Sequence, residues 1–229
     1  MTTRALNPLN PITLATVLGL AALLAWDASG LDMATARLFG SADGFPLREH
    51  PLLTRVLHDG GRIASWLLVV GLCAAIWWPV AWMRRVMIER RVQLVVVALL
   101  SVLVVSSMKA LSRASCPWDL AAFGGVARHL SHWSLGQNDG GAGRCFPAGH
   151  ASAGFAFVGG WFALRRDVPL VARRWLIASL LAGLVLGIGQ QMRGAHFMSH
   201  TLWTGWLCWV VALIGDWLMR GRVLSGGLE

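Results

Sequence analysis

The chain has 229 residues, of which 56% are apolar and 14% are charged, and its mean hydropathy is +0.59. A soluble domain carries more charge than this to cover its surface, and a disordered chain is less apolar. The composition therefore excludes both classes and predicts a polytopic membrane protein. The net charge of +9 could reflect nucleic acid, anionic lipid or cytoplasmic loops as partners, so the positions of the charges must decide.

Six apolar segments are predicted to be transmembrane helices. They cover approximately residues 8–26, 63–83, 92–111, 150–164, 175–192 and 200–219. About 20 residues are needed to cross a hydrocarbon core of about 30 Å, so the helix of the fourth segment should begin or end outside that core. The apolar runs do not alternate with the period of a strand, which argues against a barrel. The prediction is one all-α domain over residues 1–229, a bundle of six transmembrane helices.

Arginine sets the predicted orientation of the bundle. Eleven basic residues lie at the two chain ends and in the short connections after spans two and four: Arg4, Arg84, Arg85, Arg90, Arg91, Arg165, Arg166, Arg173, Arg174, Arg220 and Arg222. Positive charge in short segments marks the cytoplasmic side, so both termini should be cytoplasmic. The loops 27–62 and 112–149 then lie on the far side. Within the first, residues 51–57 could form an interfacial helix or a plain connector.

The first span is similar in length to the apolar region of a signal peptide. The sequence that follows it, Ala-Trp-Asp-Ala-Ser, is a poor cleavage site. We therefore expect an uncleaved helix.

Three polar clusters lie at the far-side ends of the spans. Lys109, the only lysine of the chain, ends span three, where it could contact a ligand or simply extend to the interface. The sequence CFPAGH at residues 145–150 opens span four with a helix start that suits an anion and a histidine that could donate a proton. The sequence RGAHFMSH at 193–200 holds two histidines four residues apart, which share one face of a helix. They could bind a metal, or one imidazole could orient the other. Their convergence on one face predicts a phosphate site.

The clusters resemble the three signature motifs of the type 2 phosphatidic acid phosphatase superfamily, which includes membrane lipid phosphatases and undecaprenyl pyrophosphate phosphatases. The family pattern is Lys-x6-Arg-Pro, then Pro-Ser-Gly-His, then Ser-Arg-x5-His-x3-Asp. The chain matches this pattern at Lys109, Pro117, Pro147, Gly149, His150 and His196. It departs from the pattern at Cys116, Ala148, Gln190 and His200.

The resemblance implies an enzyme in which His196 is the nucleophile and forms a phosphohistidine that water hydrolyses. His150 would protonate the leaving group. His200 would orient His196 in place of the family's aspartate, although His200 could instead be the nucleophile itself. The phosphate oxygens would be held near the motifs by Lys109, Gly149, Arg113, Arg144 and Arg193. This mechanism requires no metal and no cofactor.

Two cysteines adjoin motifs in the far-side loop, where the compartment should be oxidising. We predict a disulfide between Cys116 and Cys145, the alternative being two free thiols. Cys73 and Cys208 lie within spans and are expected to pack as small apolar residues.

The expected function is therefore that of a lipid phosphatase in a bacterial inner membrane, with its site facing the periplasm. Its substrate would be a phosphate monoester or pyrophosphate of a lipid. Three alternatives remain open: a lipid-to-lipid phosphotransferase, an inactive relative that binds or transports lipid phosphates, and an electron carrier with histidine-bound haem or metal. The expected partners are the lipid substrate and membrane lipids, and no nucleic acid.

Overall fold

A computed structural model of the chain describes residues 10–134 and 136–225, with side chains up to residue 219. The described part is helical, and its β contacts are isolated bridges. The apolar helices long enough to cross a membrane are Pro11–Ser29, Leu52–Trp77, Ile88–Leu111, Pro169–Met192 and Met198–Met219. The predicted all-α membrane class is confirmed. Arg4, the first residues of predicted span one and the side chains of Arg220 and Arg222 lie outside the described part.

We number the α-helices in chain order. They are α1 (Pro11–Ser29), α2 (Leu31–Ala36), α3 (Gly61–Trp77), α4 (Ile88–Leu111), α5 (Ser152–Phe155), α6 (Gly159–Leu164), α7 (Pro169–Met192) and α8 (Met198–Ser225). Short 3-10 turns cover Ala81–Arg85, Pro117–Asp119, Ala121–Phe123 and Ala156–Val158. The last of these turns joins α5 to α6.

The fourth predicted span is a short apolar helix, Ser152–Leu164. At 1.5 Å per residue it extends roughly 20 Å, less than the hydrocarbon core. Helices α4, α7 and α8 all pack against it, and nearly all of its residues are buried. Its shortness is therefore compatible with a membrane protein, because its surroundings are protein rather than lipid.

Capping residues explain where the helices begin and end. The Asn10 side chain accepts a hydrogen bond of 3.0 Å from the Ile12 amide, and Gly30 ends α1 in the left-handed conformation. At the start of α8, the Ser199 amide donates to Asp32 Oδ1 at 2.9 Å. A carboxylate is favourable at a helix N-terminus. This contact attaches α2 to the segment that carries the third motif.

For residues 51–57 the sequence allowed either a helix or a plain connector, and the structure shows a helix. Leu52–Gly60 is wound as a π-helix and continues directly into α3. The second long helix thus begins at Leu52 rather than at residue 63, and it ends at Trp77 rather than at 83. Polar residues interrupt the hydrophobic pattern here, which is why the sequence suggested a later start. Extended π-helical turns are rare and are often found at functional sites.

Buried polar contacts join the helix ends that are opposite the motifs. Arg91 donates to the carbonyl of Ile76 at 2.6 Å, which links α4 to the end of α3. Asp216 of α8 lies 3.4 Å from Arg90 of α4 and 2.8 Å from Arg165 at the end of α6. These ends belong to the side predicted to be cytoplasmic. All three motifs lie at the other ends of the same helices.

Candidate active site

Lys109 and Gly149 bring the end of α4 to the start of the fourth span. A Cβ atom placed on Gly149 would lie 3.5 Å from both Cδ and Nζ of Lys109. The missing side chain of Gly149 therefore lets the ammonium approach the backbone that leads into His150. Because the amide of Ser152 donates to the carbonyl of Gly149 at 3.2 Å, helical winding begins before α5 itself.

His196 lies between α7 and α8 and is only 3% exposed. Its Nδ1 is 2.8 Å from the carbonyl oxygen of Cys145. Since a carbonyl only accepts, Nδ1 donates and the lone pair is on Nε2. Burial lowers the pKa of His196 well below its ordinary value, and the charges of His200, Lys109 and His150 lower it further. The imidazole is therefore neutral and has the tautomer that a nucleophile requires.

His200 does not occupy the role that the sequence suggested. Its ring centroid lies 5.8 Å from that of His196, and His196 Nδ1 donates its hydrogen bond to the Cys145 carbonyl instead. His200 Nδ1 is buried and has no hydrogen-bond partner in the part of the chain that the structure describes. A backbone carbonyl thus stands where the family has a carboxylate, because the second-motif loop comes close enough to reach the histidine.

A disulfide and main-chain hydrogen bonds hold the motifs together. Cys116 and Cys145 are bonded, with their Cα atoms 5.2 Å apart. The Trp118 amide donates to the Gly194 carbonyl at 3.0 Å, which attaches the first motif to the third. The Ala148 amide donates to the His200 carbonyl at 3.2 Å, which attaches the second motif to α8. The position of the Cys145 carbonyl, and with it the orientation of His196, therefore depends on this network.

Loss of the disulfide should weaken both stability and activity. We expect Cys116→Ser to lower the free energy of unfolding by about 2–4 kcal/mol. The rate of the reaction at this site should fall roughly 10- to 100-fold, because a small displacement of the Cys145 carbonyl would change the orientation of His196. Thermal unfolding in detergent and initial rates measure the two effects. Cys73→Ser, a change in a cysteine that is free in the structure, is the matched control. A Cys116→Ser protein with wild-type stability and rate would contradict this coupling.

Among the three arginines predicted as phosphate ligands, Arg193 is the one that the structure brings near His150. It donates to the Gln190 side chain at 3.2 Å and to the Arg48 carbonyl at 2.8 Å. Gln190, which occupies the family's arginine position, thus accepts a hydrogen bond from Arg193, one helical turn later. The strongest charges acting on His150 are those of His58, Lys109, Arg193 and Arg62.

Two other predicted phosphate ligands are placed differently. Arg113 donates to the Gly136 carbonyl at 3.2 Å, within the far-side loop. The side chain of Arg144 is exposed to solvent. Neither arginine is among the strongest charges on His150. The loop sequence placed them beside the motifs, but the fold of the loop turns the two side chains to other partners or to solvent.

Two residues that the sequence analysis did not identify lie beside His150. The ring of His58 stacks on the ring of His150, with centroids 3.6 Å apart and an interplanar angle of 28°. His58 Nδ1 is 2.9 Å from Asp59 Oδ1. Burial first, and then the neighbouring positive charges, of which His58 is the strongest, lower the pKa of His150 to about 3. An adjacent His-Asp pair just before an apolar run was the available signal.

One group of donor atoms could in principle hold a metal. Ligand atoms of Cys145, His196 and His200 all lie within 4.8 Å of one another. The Cys145 sulfur is bonded to Cys116, however, and metals bind the thiolate form of cysteine. The disulfide-bonded protein therefore offers two imidazoles, whereas zinc sites use three or four protein ligands.

Fold and site together define an integral membrane protein with buried histidines and an ammonium group at one end of a helix bundle. The sequence profile of the PAP2 superfamily matches residues 90–223, more than half of the chain and all three motifs. The chain belongs to the PAP2 superfamily, whose members are phosphoesterases. Comparison with curated proteins gives no match, and neither does comparison with solved structures.

Proposed function

We propose that the protein hydrolyses a phosphate monoester or pyrophosphate of a lipid through a phosphohistidine on His196. The observation that carries this proposal is the geometry of His196: it is buried, and its Nδ1 is bonded to the Cys145 carbonyl. That arrangement leaves Nε2 as the nucleophilic atom. Lys109 and Arg193 supply positive charge at the same end of the bundle, where a phosphate would need it.

The proposed reaction has two steps. In the first, His196 Nε2 forms a bond to phosphorus while the bond to the leaving oxygen breaks, and His150 gives its proton to that oxygen. In the second, water forms a bond to phosphorus while the bond to Nε2 breaks, and His150 takes the proton of that water. Phosphate is released, and both imidazoles return to their starting state. Lys109 and Arg193 stabilise the oxygens on which charge spreads during each transfer.

The low pKa of His150 is compatible with a general acid that gains its proton only when the substrate is bound. Burial and nearby positive groups hold this pKa at about 3, which favours unprotonated His150 at neutral pH. A phosphate dianion beside the ring favours the protonated form and raises the pKa. Binding of the substrate therefore favours the protonated form of His150, which the leaving group requires.

The proposed location is a bacterial inner membrane with the site facing the periplasm. Arginine-rich connections at the opposite end of the bundle support a cytoplasmic location for that end. The disulfide beside the site supports an oxidising compartment. Suitable substrates in such a membrane are phosphatidic acid, phosphatidylglycerophosphate, polyprenyl pyrophosphate and lipid A phosphate.

Phosphate release from these four lipids by the purified protein tests the proposal. We expect release from at least one of them, and we expect Lys109→Met to lower kcat/KM by roughly 10²- to 10³-fold. Lys109→Arg should not restore the rate, because the ammonium lies against Gly149 and the larger guanidinium does not fit there.

Arg128→Met, which removes an exposed charge from the far-side loop, is the control and should change the rate less than about twofold. Absence of release from every lipid would favour a protein that only binds or transports lipid phosphates. Phosphate recovered on a second lipid rather than in solution would identify a phosphotransferase.

A further inference from the structure

Three potential metal ligands meet at the proposed nucleophile. Ligand atoms of Cys145, His196 and His200 lie within 4.8 Å of one another, and the Cys145 sulfur is 3.6 Å from His196 Nδ1. Tetrahedral zinc, with bonds of about 2.0–2.3 Å to nitrogen and sulfur, holds its ligands roughly 3.3–3.7 Å apart. The cysteine and His196 already have that spacing, and the third ligand needs to move by only about 1 Å.

His200 lacks a partner for one of its ring nitrogens. The residue is 2% exposed, and its Nδ1 has no hydrogen-bond partner among the residues that the structure describes. A buried polar atom in this state costs free energy unless another group satisfies it. A metal ion held together with Cys145 and His196 would supply such a group. This observation is independent of the spacing of the three ligands.

The disulfide decides whether the sulfur ligand is available. Zinc binds the thiolate of cysteine, and the Cys145 sulfur is bonded to Cys116 in the structure. The main chain also holds Cys145 in place. Its amide donates to the Ala114 carbonyl at 3.0 Å, and the Ala148 amide donates to the His200 carbonyl at 3.2 Å. These hydrogen bonds keep the sulfur near the two histidines when the disulfide is open.

We propose that the protein with an open disulfide binds a zinc ion through Cys145, His196 and His200, and that this ion blocks the nucleophile. Zinc on His196 Nδ1 replaces the hydrogen bond to the Cys145 carbonyl and leaves the proton of the neutral ring on Nε2. The lone pair that attacks phosphorus is then absent. The metal site stands on its own contacts, whereas the inhibition rests on the proposed function.

The site opens when a dithiol reduces the disulfide. Cys116 is partly exposed and Cys145 is fully buried, so the thiolate of the reagent attacks the Cys116 sulfur. The sulfur–sulfur bond breaks, and its electron pair leaves with Cys145 as a thiolate that can bind zinc. The second thiol of the reagent then displaces Cys116 and forms the disulfide of the reagent. One dithiol proton ends on Cys116, and the other goes to solvent.

Two cysteine variants with equal numbers of free thiols test the proposal. Cys116→Ser and Cys145→Ser both lose the disulfide, but only Cys116→Ser keeps the thiol beside the histidines. After removal of metals with a chelator, we expect Cys116→Ser to bind about one zinc ion per chain. Cys145→Ser should bind zinc at least roughly tenfold more weakly, because it lacks the thiolate. Equilibrium dialysis with elemental analysis measures both.

Cobalt in place of zinc gives a readout that requires no turnover. Cys116→Ser should show a thiolate-to-cobalt charge-transfer band, and Cys145→Ser should not. Addition of His200→Ala to Cys116→Ser should weaken the band, whereas addition of His129→Ala, at an exposed histidine, should leave it unchanged. The wild type should show the band only after reduction with a phosphine, which opens the disulfide without adding thiol ligands.

Zinc should lower the rate of phosphate release by Cys116→Ser roughly 10²-fold relative to the same variant in chelator, because a zinc-bound His196 cannot attack phosphorus. The disulfide-bonded wild type should change less than about twofold. Equal zinc binding by the two cysteine variants, binding by neither, or equally tight binding by the disulfide-bonded wild type would overturn the metal site.

The inhibition and the proposed function fail in different ways. Zinc bound by Cys116→Ser without a loss of rate would overturn the inhibition. Absence of phosphate release from every protein, with or without chelator, would count against the proposed function instead. The dialysis and cobalt spectra would still accept or reject the metal site, because neither measurement depends on turnover.

Discussion

His196→Ala is expected to abolish phosphate release, with a fall in kcat of roughly 10⁴-fold or more. The side chain supplies the attacking nitrogen, and no other group in the proposed reaction can form the bond to phosphorus in its place. Its Nδ1 hydrogen bond to the Cys145 carbonyl leaves the lone pair on Nε2 for the attack. Initial rates of phosphate release measure the loss.

Acid-free trapping of the phosphoenzyme identifies the nucleophile directly. We expect mass spectrometry to find the phosphoryl group on His196 in the wild type and on no histidine in His196→Ala. His129→Ala, a change at an exposed histidine of the far-side loop, should leave labelling intact. A phosphoryl group on His200 would reverse the two roles, the alternative that the spacing of the third motif left open.

Asp216→Ala should cause the largest loss of stability. Asp216 is 1% exposed and contacts two arginines, Arg90 at 3.4 Å and Arg165 at 2.8 Å. Removal of the carboxylate takes its negative charge away from the buried guanidinium of Arg90, and breaking a buried ion pair in this way costs about 3–5 kcal/mol. The midpoint of thermal unfolding in detergent should fall by roughly 10 °C or more. The site lies at the opposite end of the bundle, so folded protein at low temperature should keep its phosphatase rate.

An exposed ion pair provides the comparison. Glu49 lies 3.7 Å from Arg48, and its side chain is 81% exposed. Glu49→Ala should therefore change stability by less than about 1 kcal/mol. If Asp216→Ala and Glu49→Ala unfolded at the same temperature, the buried cluster would not stabilise the bundle in the way that its contacts indicate.

The sequence predicted the class of protein, and it predicted that the candidate site residues lie at one end of the bundle, because both depend on local patterns. Runs of apolar residues indicated the membrane helices, and their order placed Lys109, His150 and His196 at one end. The cysteines beside two motifs predicted the disulfide that the structure contains. The sequence was least accurate where polar residues occur within a helix: the second long helix begins earlier than its hydrophobicity indicates.

Only the tertiary structure decided how the site compensates for its altered motifs. The carbonyl of Cys145 holds His196, a role that residue types cannot reveal, since every residue has a carbonyl. The sequence could offer several arginines as phosphate ligands, but the folded loops bring Arg193 toward His150 and place Arg113 elsewhere. His58 lies almost a hundred residues from His150, and their stacking follows from the packing of two helices. The sequence by itself thus determined which chemistry the chain carries, and packing between distant segments determined which atoms can perform it.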